Sequence, residues 1–197
     1  MLFAPDERNV TPTEQLSLAP PSPEPTFLAR LAGSPLQTCF EFWRGCRVDG
    51  KSPLKRSIDP TRMPIAILPH LFIYELVNER FRCRLAGTEN AYVFARDPTG
   101  RFLDEMLLPA VVQARTGLFR GVVGRDLPLI YGGRLADEGG RWGSFERLLL
   151  PVTRSGAEID IVFGMAVLPR SDPGKTAKTQ LVDTPHDFET WATRGEL

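Results

Sequence analysis

The side chains of this chain best able to do chemistry are few and scattered. Histidine occurs twice, as His70 and His186, and cysteine three times, as Cys39, Cys46 and Cys83, with no C-x-x-C pair. A structural zinc site needs four such ligands at characteristic spacing, which these do not offer. Cys39 and Cys46 read instead as small apolar side chains on one helix face. Acid–base work would draw on carboxylates, and Glu75, Glu146 and Asp160 fall at alternate strand positions that read as exposed, with no histidine or lysine patterned beside them. Ser144 lacks a G-x-S-x-G elbow. Gly132-Gly133 and Gly139-Gly140 sit where hairpins turn, not where a phosphate loop opens a helix. No nucleophile, base and orienting group assemble from these residues, so the chain reads as a binding or signalling domain and not as an enzyme.

The elements that would have to position such groups follow from periodicity. Residues 1–25 contain six prolines and little periodic apolar content, which predicts a disordered arm. A folded core is expected over 26–169. The remainder, 170–197, is a polar tail in which Thr184-Pro185 opens a short helix at 185–194. Within the core, Ser34-Pro35 is a helix start, and Leu36, Cys39, Phe40, Trp43 and Cys46 recur on one helical face. From Leu71 the period changes to two. Residues 71–77 and 81–85 read as strands joined by a turn at Asn78-Glu79. Between them and the last strands lie a short helical piece near 91–95 and a helix from Leu108 to near Gly124. The runs 127–134, 142–152 and 159–168 then predict three more strands, close enough for antiparallel hairpins. The expected fold is α+β, with one five-stranded antiparallel sheet, helices on one face and an N-terminal flanking helix.

Composition narrows the partners. Basic and acidic residues both number 24, so no net field draws nucleic acid or an anionic surface. No apolar run approaches the roughly 20 residues of a membrane helix. Unpaired cysteines without a signal-peptide pattern predict reduced thiols in the cytoplasm.

Local motifs carry a resemblance. The helix bearing Phe42-Trp43 is followed by 52–60 (SPLKRSIDP), then by Leu68-Pro69-His70-Leu71-Phe72. Next come Phe81-Arg82-Cys83-Arg84-Leu85-Ala86-Gly87-Thr88 and the turn at 97–103 (DPTGRFL). In this order and spacing the set resembles the single-domain PAS family of alphaproteobacteria, over about residues 38–168. Cys83 stands where that family usually has an aromatic, and Pro98 where it has leucine. The resemblance implies a sensory or interaction domain, with no catalytic residues to carry over. It also implies a cavity between the sheet and the middle helices. Tyr92, Phe94, Phe102, Met106, Phe119, Tyr131 and Phe163 are the candidate lining, with Arg84 or Arg134 as a charge for an anionic or carbonyl-bearing ligand.

Haem is not expected, because the helical segment that would supply its ligand holds Tyr92, Phe94 and Arg96 instead of a histidine. Flavin photochemistry is not expected either, since Asn90 has no adjacent cysteine. The cofactor is otherwise unknown, and no metal site is assigned. The arginines Arg101, Arg115, Arg120 and Arg125 read as a solvated face. Phe40 and Trp43 on the flanking helix, with Phe188 and Trp191 in the tail, are the candidate contacts to a protein partner or a second copy, or to the domain's own core. The predicted role is regulation through protein contacts, with or without a small-molecule ligand. The alternatives are a ligand-free scaffold and a small α+β enzyme acting on a hydrophobic substrate, which would need a histidine or carboxylate facing the cavity.

Overall fold

Two helices, a sheet and two further helices stack so that both faces of the sheet are covered. The computed structural model describes residues 24–93, 97–136, 142–169 and 187–197. Residues 1–23 of the expected arm and most of the polar tail lie outside the described residues, as do His186 and the turn at 137–140.

Helix α1 (Phe27–Leu31) leads into α2 (Pro35–Gly45). The Ser34 hydroxyl accepts from the Leu36 N–H at 3.2 Å, and Pro35 occupies the first turn, where a missing donor costs nothing. The predicted face holds: Leu36, Cys39, Phe40 and Trp43 are all buried. Three short 3₁₀ turns, the last Ile65–His70, carry the chain to strand β1 (Leu71–Val77). It pairs with β2 (Arg80–Ala86) through Asn78 and Glu79, both at left-handed φ, the backbone of a two-residue hairpin turn. In β2 the predicted alternation is visible, with Phe81 and Cys83 buried and Arg84 exposed.

Helix α3 (Thr88–Val93) and helix α4 (Pro109–Arg125) follow, then β3 (Leu129–Ala136), β4 (Trp142–Thr153) and β5 (Ile159–Val167). The sheet runs β2-β1-β5-β4-β3 with every pairing antiparallel, as expected, and adds one strand. Residues Phe188–Trp191 form β6 on the outer edge of β3, where the sequence predicts a helix.

That correction has a packing cause. Phe188 and Trp191, three apart, would share one helix face; on a strand they point to opposite faces. The ring of Phe188 lies against Gly132, with the Arg30 guanidinium 3.8 Å from its centroid. Trp191 packs on Gly121 of α4, with Arg125 4.3 Å from its centroid. Each residue fastens a different layer. Beyond the strand, the Glu196 carboxylate accepts from the Leu28 N–H at 3.2 Å, and Arg47 donates to the Leu197 carbonyl at 2.9 Å.

Period two along the strands divides the core. Leu148, Leu150, Val152, Ile161, Phe163 and Met165 meet α1 and α2. Leu149, Val162, Ala166, Phe72 and Tyr74 meet α4. The flanking helix is therefore part of the domain. Phe40 and Trp43, expected as partner contacts, are 1% and 0% exposed and face the sheet.

Candidate functional site

The layer under α3 and α4 is filled first by aromatic side chains. Tyr74 and Phe81 each meet Phe119 edge-on, with ring centroids 5.2 Å apart. These rings occupy much of the space between helix and sheet. Among the described residues they leave a small cleft lined by Phe72, Tyr74, Ala86, Asn90, Arg115, Phe119, Tyr131 and Arg147. Its volume is about 20 Å³, taken as the space open to the centre of a water molecule. About 10–15 Å³ on this measure is the least that holds a water, so the cleft suits a group of very few atoms.

Three elements supply its polar groups. Asn90, on α3, donates from Nδ2 to the carbonyls of His70 at 2.6 Å and Leu71 at 3.1 Å, pinning α3 to the start of β1. Arg115 lies on the inward face of α4, in the helical row Val111, Arg115, Leu118, Phe119 and Val122, and is 5% exposed. Arg147 lies on β4 between Phe145 and Leu149 on the same face and is 6% exposed. Its Nη1 donates to the Tyr131 hydroxyl at 3.2 Å, and its guanidinium sits 4.5 Å from the Phe145 ring centroid. Burying a guanidinium is costly unless its donors and charge are met locally. Both arginines line the one cleft. Burial pushes the Tyr74 phenol well above its ordinary value, and the neighbouring Cys83 adds to this while Arg115 and Arg147 oppose it. Burial also pushes the Cys83 thiol up, to about 11. Neither group is ionised near neutrality, and neither is a ready nucleophile.

Of the residues predicted to line a cavity, Phe119 and Tyr131 do so. Met106 packs at the margin of the same layer, and half-buried Phe102 lies beneath the Arg80 guanidinium, 3.9 Å from its centroid. Phe163 points to the opposite layer, because on β5 it is Val162 and Ala166 that face α4. Arg84 and Arg134 are exposed and do not line the cleft. The side chain of Tyr92, and all of Phe94, lie outside the described residues. The charged members of the cleft are instead Arg115 and Arg147. The expectation of a solvated face therefore fails at Arg115. Sequence periodicity held the signal for both: each arginine interrupts an apolar row, at helical spacing from Val111 and at strand spacing from Phe145.

A second cluster of charge lies on the other side of β1. Glu75, expected to be exposed, is 4% exposed. Its carboxylate meets Lys55 at 2.6 Å, Arg82 at 3.4 Å and Arg154 at 3.6 Å. Glu146 and Asp160 are half-buried. Burial alone would raise the Glu75 pKa, but the hydrogen bond and charge of Lys55, with Arg154 and Arg82, outweigh it and hold the group below its ordinary value of 4.5. The unfolded chain then binds the proton more readily, so the contribution of Glu75 to stability is present above pH 4.5 and is lost as the pH falls through the lower folded-state value. Urea denaturation between neutrality and pH 3 is expected to show this loss, and E75Q to flatten that part of the profile. A profile unchanged in E75Q would refute the assignment.

Among the described residues no group of three His, Cys, Asp or Glu side chains is placed to hold a metal ion, and no helix is long and apolar enough to cross a membrane. Among models of known families, the one described as a PAS domain matches residues 31–167. No curated protein and no solved structure matches the chain.

Proposed function

The chain belongs to the PAS domain family, a family of sensory and regulatory domains, and from that premise we propose that it takes up a small ligand in the cleft beneath α4 and passes the change to a protein partner or a second copy. The observation that carries this reading is the pair of buried arginines on a small cavity inside the fold. The described lining contains no histidine or carboxylate to serve as acid or base, which favours regulation over the enzyme reading.

Helix α4 supplies the route outward. Arg115 faces the cleft, while Gly121 and Arg125 of the same helix hold Trp191 of β6. A ligand that shifts α4 alters the seat of the C-terminal strand, and with it the surface offered to a partner. The free thiols Cys39, Cys46 and Cys83 are consistent with the reducing cytoplasm, where we place the protein.

Native mass spectrometry of the full chain purified from its own host tests the reading. We expect a mass above that of the bare chain and, on adding ligand, faster or slower hydrogen exchange in both α4 and β6. The bare mass, together with no thermal shift across a panel of small metabolites, would leave a ligand-free scaffold and overturn the proposal.

A further inference from the structure

We propose that residues 187–197 are a releasable strap, and that the edge of β3 beneath them is a strand-addition site for an extended segment of a separate protein partner. This names the partner surface of the regulatory reading above and rests on that reading for its use, not for its geometry.

The edge holds its occupant in two ways. Backbone hydrogen bonds bracket β6, from the Asp187 N–H to the Gly132 carbonyl at 2.8 Å and from the Ala192 N–H to the Pro128 carbonyl at 2.9 Å. A ladder of this kind accepts any extended segment, so side chains must supply the selection. Two sockets on opposite faces do so: Gly132 with Arg30 receives Phe188, and Gly121 with Arg125 receives Trp191.

The resident segment fills this site imperfectly. Every residue of β6 keeps some exposure. Thr190 pairs with Ile130, which belongs to the layer of α1 and α2, so it shares that face with Phe188. The Thr190 Oγ1 is buried there without a hydrogen bond to any described residue, and so is the Nε of Arg30. Buried polar groups left unmet oppose docking. A segment with an aliphatic side chain in place of Thr190 would carry one fewer of them. The tie of Glu196 to the Leu28 N–H is open to water, which competes for it.

The connection to β5 permits release. Val167, Glu146, Gly132 and Phe188 lie in one row across the sheet, so β5 ends three strand spacings, about 14 Å, from the start of β6. The intervening chain, roughly 20 residues, spans about 65 Å at full extension. The strap can therefore leave the edge while staying tethered at a local concentration in the millimolar range. That tether decides the occupant. A second copy brings the identical segment and gains nothing over the one already attached, whereas a partner with a better-fitting segment does gain. Because Trp191 sits against Gly121, movement of α4 sets how readily the strap leaves.

The probe is a fluorescent peptide with the sequence of residues 187–197, in native, T190V and doubly truncated F188A/W191A forms, titrated into the full chain by anisotropy. On the W191A chain, whose own strap is weakened, we expect saturable binding of the native peptide and binding about tenfold tighter for T190V. The doubly truncated peptide should not bind. On the wild-type chain, where the strap competes, both binding peptides should be at least tenfold weaker. The F188A chain serves in the same role if W191A fails to fold. In the wild type itself, hydrogen exchange of the Ala192 amide should be at least a hundredfold faster than in β5. Exchange of that amide at the rate of β5 would overturn release. Equal binding of native and doubly truncated peptides, or no gain in either strap variant, would overturn the strand-addition site. A T190V peptide no tighter than the native one, or a wild-type dimer that W191A abolishes, would overturn the choice of a separate partner. Each of these results leaves ligand uptake standing; the bare mass with peptide binding intact would overturn the ligand reading alone.

Discussion

Replacing Trp43 by alanine is expected to lower the free energy of unfolding by about 3–5 kcal/mol, the usual cost of truncating a fully buried tryptophan. The side chain is 0% exposed, stacks on Phe40 with ring centroids 5.8 Å apart, and lies in the layer that joins α1 and α2 to the sheet. Its Nε1 donates to the carbonyl of Pro151 on β4 at 2.8 Å. Truncation therefore removes a large apolar contact, opens a cavity and leaves a buried carbonyl without its donor. W43F retains most of the contact but not the donor and should cost less, about 1–3 kcal/mol. Urea denaturation followed by circular dichroism measures both. A loss below about 1 kcal/mol for W43A would mean that α2 is not seated on the sheet in solution and remains available to a partner, as its sequence alone suggests.

The second large effect is expected at Gly164, in the middle of β5. A Cβ placed there would lie 2.2 Å from the Leu148 carbonyl oxygen and 2.6 Å from the Phe72 ring. The first of these is backbone in the neighbouring strand and cannot swing aside. G164A is accordingly expected to lose about 3 kcal/mol, the upper end of ordinary overpacking, or to leave no folded protein. Gly117 provides the contrast. It is an exposed position inside α4 with no heavy atom within 4 Å of an added Cβ. G117A should stabilise by about 0.5–1 kcal/mol, through helix propensity alone. Thermal melting of the two variants side by side separates crowding from propensity. Equal effects of the two substitutions would contradict the packing described for β5.

Much of the architecture is local in origin and was open to reading from the chain. Ser34-Pro35 and the row Leu36, Cys39, Phe40 and Trp43 set the start and buried face of α2, because a cap and a 3.6-residue period need no distant information. Alternation at Phe81 and Cys83 set the face of β2 in the same way. The turn at Asn78-Glu79 joined it to β1, and the order of the elements then restricted the fold to very few topologies.

The C-terminal segment shows where such reasoning stops. Phe188 and Trp191 are spaced for one face of a helix, and Thr184-Pro185 is a plausible helix start. The open edge of β3 nevertheless offers backbone hydrogen bonds to a strand, while Gly132 and Gly121 leave room for one large ring on each side. Those two sites lie on different elements, so no local window of sequence contains them.

The cleft divides along the same line. By itself the sequence determined that the chain has the helices and antiparallel strands of a PAS domain, and that it carries no patterned catalytic set. It also placed Arg115 and Arg147 on rows that are otherwise apolar. Arg115 read as part of a solvated face, and Arg147 was not singled out at all. Only the tertiary structure buried them, by packing the inward row of α4 against the inward row of β4 so that both guanidiniums line one small cleft. The physical reason is that burial of a charge depends on what surrounds it on every side, and those surroundings come from parts of the chain that meet only when it folds.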